Sequence, residues 1–113
     1  MQKITIYHNP QCSKSRQALE ILQSKGIHPD IIDYMKTPLD AEQLGQLRAF
    51  FALEDFVRTT ESVFKSLGLS LDNEDLVLQA IQKNPILMQR PIIICNNRAV
   101  IGRPPEKVLE LLE

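Results

Sequence analysis

The sequence predicts an α/β domain interrupted by a helical insertion, and three observations predict it. Short β-branched and aromatic runs stand near both ends of the chain, as strands require. A helical period separates the first two of these runs. Three successive helical patterns with no strand between them fill the middle, about residues 38–84. At 113 residues the chain has room for one domain, 1–113, with no linker and no internal repeat.

Residues 3–7 read as the first strand, closed by the turn signal Asn9-Pro10. A helix is expected over 13–25, where Ala18, Leu19 and Leu22 recur at three-to-four spacing and Gly26 is a natural stop. A second strand follows at 30–34, and a strand–helix–strand unit makes the two strands parallel by a right-handed crossover. In the insertion, Asp40 and Gln43 have capping-box spacing ahead of Leu44, Leu47 and Phe50 or Phe51. A second helix is predicted over about 54–67. A third, capped by Asp72, carries Leu76, Val77, Ala80 and Ile81 and stops at Asn84-Pro85. Residues 91–95, an Asn96-Asn97 turn and residues 99–101 make a β-hairpin. Pro104 fits the first position of a last helix lined by Val108, Leu109, Leu111 and Leu112. Met35 and Met88 read as packing residues, Cys95 as a core residue and His28 as a surface one.

Composition narrows the function. Hydrophobic residues make up 43% and charged residues 24%, as in an ordinary globular protein. Thirteen basic residues against fourteen acidic ones give a net charge of −1, so no basic footprint for nucleic acid is expected. The longest strongly apolar run, Ile92-Ile93-Ile94-Cys95, is too short to span a bilayer, and the first residues alternate instead of building a signal-peptide core. A cytoplasmic monomer with no membrane partner is the expectation. Two cysteines and two histidines are too few and too scattered for a zinc site, and no metal is expected.

The informative segment is His8-Asn9-Pro10-Gln11-Cys12-Ser13-Lys14-Ser15-Arg16. It places Cys12 where a helix begins, and there the unpaired N–H groups and the positive end of the macrodipole favour an anion. The same field favours thiolate over thiol, and the thiolate is the nucleophile. Lys14, Arg16 and His8 add positive charge nearby, so the loop can activate its sulfur and hold a small oxyanion against it. A dithiol loop would need a second cysteine at Ser15, and a phosphatase-like loop would need arginine where Ala18 stands. A monothiol reaction with an external thiol reductant remains.

This segment, the Gln89-Arg90-Pro91-Ile92-Ile93-Ile94 block and the Ile101-Gly102-Arg103-Pro104-Pro105-Glu106 block resemble the glutaredoxin-linked arsenate reductases of the ArsC family, closest to their YfgD branch. The resemblance covers essentially the whole chain. It implies a thioredoxin-like fold with a helical insertion on a mixed four-stranded sheet. It also implies that Cys12 attacks arsenate to form a covalent arseno-cysteine. Glutathione then attacks as co-substrate, glutaredoxin recycles the mixed disulfide, and arsenite leaves, with no bound cofactor. In that picture His8 helps keep Cys12 ionised and Ser15 supports the thiolate. Arg58, Arg90 and Arg103 match the family's three oxyanion-binding arginines, and forked guanidinium donors suit a tetrahedral oxyanion. Pro91 matches the cis-proline that faces the active-site cysteine in thioredoxin-like folds.

Two other readings share the loop. One is a glutathione-dependent thiol–disulfide oxidoreductase, which has no need of the arginine trio. The other is an Spx-type transcription regulator, whose redox switch is a Cys-x-x-Cys that Ser15 interrupts here.

Overall fold

The computed structural model describes residues 3–112. Its sheet has four strands in the order β2-β1-β3-β4, with β1 at Ile4–His8, β2 at Asp30–Asp33, β3 at Ile92–Cys95 and β4 at Arg98–Ile101. β1 and β2 are parallel, joined through helix α1 (Ser13–Ser24), while β1/β3 and β3/β4 are antiparallel. The sheet is therefore mixed, and Ile6 stands between Ile31 and Ile93.

Two compact units compose the chain: residues 1–34 with 90–113, and residues 35–89. In the first, alternation along β1 buries Ile4, Ile6 and His8. Ile4 and Ile6 share a face with Ile93 and Cys95, and that face packs against Ala18 and Leu22 of α1 and against Val108 and Leu111. Leu22 is fully buried, so truncating it to alanine costs about 2–5 kcal/mol. α1 ends in a Schellman motif: Gly26 at φ +77° donates its N–H to Gln23, and the Ile27 N–H reaches Leu22. Ile27 then packs on the core beside Leu22. At the hairpin, Asn96 takes a φ of 58°, a conformation asparagine tolerates.

The C-terminal element differs from the expected α-helix. It is a 3-10 helix, Pro105–Leu112, and Pro105 occupies the first position expected for Pro104. A three-residue period puts Pro105, Val108 and Leu111 on one buried face, which leaves Leu109 37% exposed.

In the second unit, α2 (Ala41–Arg48) opens with the capping box: Asp40 accepts from the Gln43 N–H, and the Gln43 side chain accepts from the Asp40 N–H. Leu44 and Leu47 are buried, whereas Phe50 is exposed. The continuous helix expected over 54–67 is broken into α3 (Leu53–Phe56) and α4 (Ser62–Ser66). Val57 turns extended and bridges Met88, the Arg58 N–H donates to the Leu87 carbonyl, and the Gln89 N–H donates to the Phe56 carbonyl. The β-branched pair Thr59-Thr60 is poorly suited to carry a helix through this stretch. α5 (Glu74–Lys83) is capped by Asn73, whose side chain accepts the Leu76 N–H, and not by Asp72. Asp72 lies one residue too early and donates its N–H to the Ser70 hydroxyl oxygen. Val77, Ala80 and Ile81 are buried as expected, but Leu76 is on the outer face, and Met35 is exposed where packing was expected. Among the described residues no helix is long and apolar enough to cross a membrane.

Candidate active site

Cys12 is the N-cap of α1, with extended backbone (φ −96°, ψ 123°) and a partly exposed side chain. Its own N–H donates to the Asn9 carbonyl at 2.9 Å, closing the turn Asn9-Pro10-Gln11-Cys12. Burial alone would push the thiol up. Hydrogen bonds from the Ser15 N–H, the Arg90 side chain and the Lys14 N–H, together with the Arg90 charge, outweigh it and leave the thiol below its ordinary value of 9.0. The groups acting on the sulfur are two main-chain N–H groups of the helix start and the Arg90 guanidinium, in place of the Lys14, Arg16 and His8 charges expected from the sequence.

Arg103 reaches the sulfur from the far end of the chain. Its Nη1 lies 3.9 Å from Cys12 Sγ and donates to the Arg90 carbonyl at 3.0 Å. Gly102 brings this strand end in close: its N–H donates to the Pro91 carbonyl at 2.9 Å. A Cβ at position 102 would stand 2.9 Å from Pro91 Cγ and 3.3 Å from Ile93 Cδ1. The Arg90–Pro91 bond is cis, and so is Arg103–Pro104.

His8 and Ser15 are both buried and meet at 2.6 Å, His8 Nδ1 to Ser15 Oγ. The same hydroxyl oxygen accepts the Asn9 N–H at 3.0 Å. Burial lowers the His8 pKa below 6.5; Asp33 opposes this and Arg16 adds to it. His8 is therefore neutral at pH 7, and its route to Cys12 runs through Ser15. Ser15 meets the sulfur through its main-chain N–H, while its hydroxyl serves His8 and Asn9.

Arg58 belongs to the helical unit. Its Nε pairs with Glu61 at 3.1 Å and its Nη1 donates to the Gln89 side chain at 3.2 Å. The structure thus gathers Cys12, His8, Ser15, Arg90, Pro91 and Arg103 in the α/β unit, and Arg58 is held by partners of its own unit.

Cys95 is a buried thiol, 3% exposed. It stands opposite Ile4, at the end of the ladder away from the Tyr7–Ile92 pair. Four residues of strand separate Ile4 from His8, about 13 Å along β1 and well beyond the Cα separation a disulfide bridges. Cys95 is therefore out of disulfide reach of the Cys12 loop. Among the described residues no three His, Cys, Asp or Glu side chains gather as metal ligands.

Asn9 and Gly102 were not singled out in the sequence as site residues. Asn9 was legible only as a turn signal before proline, and Gly102 only as part of a motif block. Their contributions are a buried hydrogen-bond junction with Gln11, Cys12 and Ser15 of the same loop, and a close approach to Pro91 and Ile93.

The profile of the ArsC family matches residues 7–111. A protein of Escherichia coli named as uncharacterized protein YfgD is 42% identical over 115 residues, covering 97% of each chain. An arsenate reductase of Neisseria meningitidis is 39% identical over 118 residues, covering 99% of this chain and all of its own. Among solved structures, an arsenate reductase from Vibrio cholerae superposes with a TM-score of 0.90 at 39% identity, covering 97% of this chain and 98% of that one. With the mixed sheet above, these neighbours make the fold thioredoxin-like.

Proposed function

The chain belongs to the ArsC family, and from that premise we propose that it is an arsenate reductase with Cys12 as its nucleophile. The observation that carries this reading is a thiol with a lowered pKa, with the Arg90 side chain against it and Arg103 Nη1 at 3.9 Å. A thiolate beside two guanidinium groups is matched to a tetrahedral oxyanion that must be both held and attacked. A thiol–disulfide exchanger needs the lowered thiol but has no use for the arginines.

In the proposed cycle the Cys12 thiolate attacks arsenic, a sulfur–arsenic bond forms, and one arsenate oxygen leaves as water. Glutathione supplies the second thiol. The two sulfurs give two electrons to arsenic, which departs as arsenite, and they end as a mixed disulfide on Cys12. Glutaredoxin removes the glutathione and restores the thiolate. The distance of Cys95 from the site supports an outside reductant over an internal disulfide. Arg90 and Arg103 hold the oxyanion, with Arg58 as a third donor. His8 and Ser15 keep the loop in the shape that ionises Cys12. Glutathione is a co-substrate here, and no cofactor is bound. The setting proposed is a monomer in the cytoplasm.

The test is NADPH consumption with arsenate, glutathione, glutaredoxin and glutathione reductase. Turnover that requires arsenate and disappears in Cys12→Ser is the expected result. A folded protein that consumes NADPH only with a disulfide substrate would replace arsenate reduction with thiol–disulfide exchange.

A further inference from the structure

Asn9 is 6% exposed, although asparagine is mostly a surface residue. Three hydrogen bonds close the cysteine loop through it. Its carbonyl accepts the Cys12 N–H at 2.9 Å, its Oδ1 accepts the Gln11 N–H at 3.0 Å, and its N–H donates to Ser15 Oγ at 3.0 Å. With its N–H turned back on Asn9, the Cys12 peptide is fixed and the sulfur is left facing the N–H groups of Lys14 and Ser15. Through Ser15 Oγ the same residue is tied to His8.

From this junction we infer that Asn9 is a positioning residue for Cys12, acting through the loop backbone without touching substrate. The side chain has to accept an N–H two residues on while remaining neutral. Alanine cannot accept it. Serine accepts it more weakly. Aspartate accepts it equally well but brings a carboxylate close to the thiolate, and like charges disfavour ionisation. Among the described residues, the charged and titratable groups around the loop include Arg90 and Arg103 at the sulfur, Lys14 two residues past it, Arg16 on the Pro10 carbonyl, His8 on Ser15, and Asp33 acting on His8.

The inference rests on Cys12 being the nucleophile. Alkylation reads the thiol with no arsenate present, so its outcome is separate from that of the arsenate reading. The experiment follows iodoacetamide labelling of the Cys12 peptide against pH by mass spectrometry, in the full chain and in Asn9→Ala, Asn9→Ser and Asn9→Asp, with a thermal melt of each. Asn9→Ala is expected to move the labelling midpoint up by about one pH unit, a roughly tenfold slower labelling at a pH below both midpoints. Its arsenate kcat falls while KM stays near that of the native chain. Asn9→Ser recovers part of the shift, and Asn9→Asp melts like the native chain yet keeps a raised midpoint. A native midpoint in Asn9→Ala with a cooperative melt overturns the inference. If Asn9→Ala does not melt cooperatively, native midpoints in both Asn9→Ser and Asn9→Asp overturn it equally.

Discussion

The α/β unit and the helical unit hold their arginines in contrasting ways. Arg103 is steadied by a neutral group, the Arg90 carbonyl at 3.0 Å, and among the described residues it forms no salt bridge. Arg58 is steadied by a carboxylate, Glu61 at 3.1 Å, and by the Gln89 amide. A carbonyl fixes a guanidinium without cancelling its charge, whereas a carboxylate cancels much of it. The first arrangement leaves a positive charge ready for an incoming anion, and the second gives a positioned group whose field is already answered.

Breaking the first arrangement has the larger effect. Arg103→Ala is expected to lower arsenate turnover by about 10²–10³-fold, while Arg58→Ala costs roughly tenfold, since its charge is already partly compensated. Steady-state kinetics of the two variants side by side check the ordering, and equal losses would erase the contrast. Gly102→Ala strikes the same arrangement from the packing side. The added methyl meets Pro91 Cγ at 2.9 Å, and such overpacking costs about 1–3 kcal/mol. A lower urea midpoint, together with a KM raised by displacement of Arg103, is the expected result.

Glu61→Gln sharpens the comparison from the other side. It keeps a hydrogen-bond acceptor for Arg58 and removes the charge, so the arsenate KM should fall by about two- to threefold with little change in melting temperature. An unchanged KM would mean that the Arg58 charge does not reach the oxyanion. The smallest effect concerns pH. His8 has its pKa lowered from 6.5 by burial, so below that pH the unfolded chain takes up the proton first. Stability is then highest above pH 6.5 and declines as pH falls towards the folded-state pKa. His8→Gln should flatten this decline in urea midpoints on the acid side of neutrality, and an unaltered slope would assign it to another group.

What could be read from the sequence was local. Strand alternation in β1, the 3.6 period and glycine stop of α1, and the Asp40–Gln43 box each depend on neighbours within a few residues. The break between α3 and α4 was hidden because its cause lies thirty residues away, in the pairing of Val57 with Met88 and of Arg58 with Leu87. Asp72 and Asn73 are equally good caps by composition, and only the register of α5 decides between them. The Cys12 loop was legible as an anion-favouring helix start, since that chemistry is written in consecutive residues. The Ser15 hydroxyl turning to His8 and the Arg90 carbonyl anchoring Arg103 were not, because both are three-dimensional meetings. The arginine assignments came from family likeness, which spacing alone does not supply.

Arg103 and Cys12 are 91 residues apart in the chain. During synthesis at about 5–20 residues per second, the cysteine loop emerges several seconds before its arginines exist. Through that interval the sulfur has only the N–H groups of its own helix start beside it, without the guanidinium groups that favour the thiolate in the folded chain. The Arg90 share of the lowered thiol pKa arrives only with the closing of β3 against β1, so the sulfur reaches its full acidity after both ends of the chain have met.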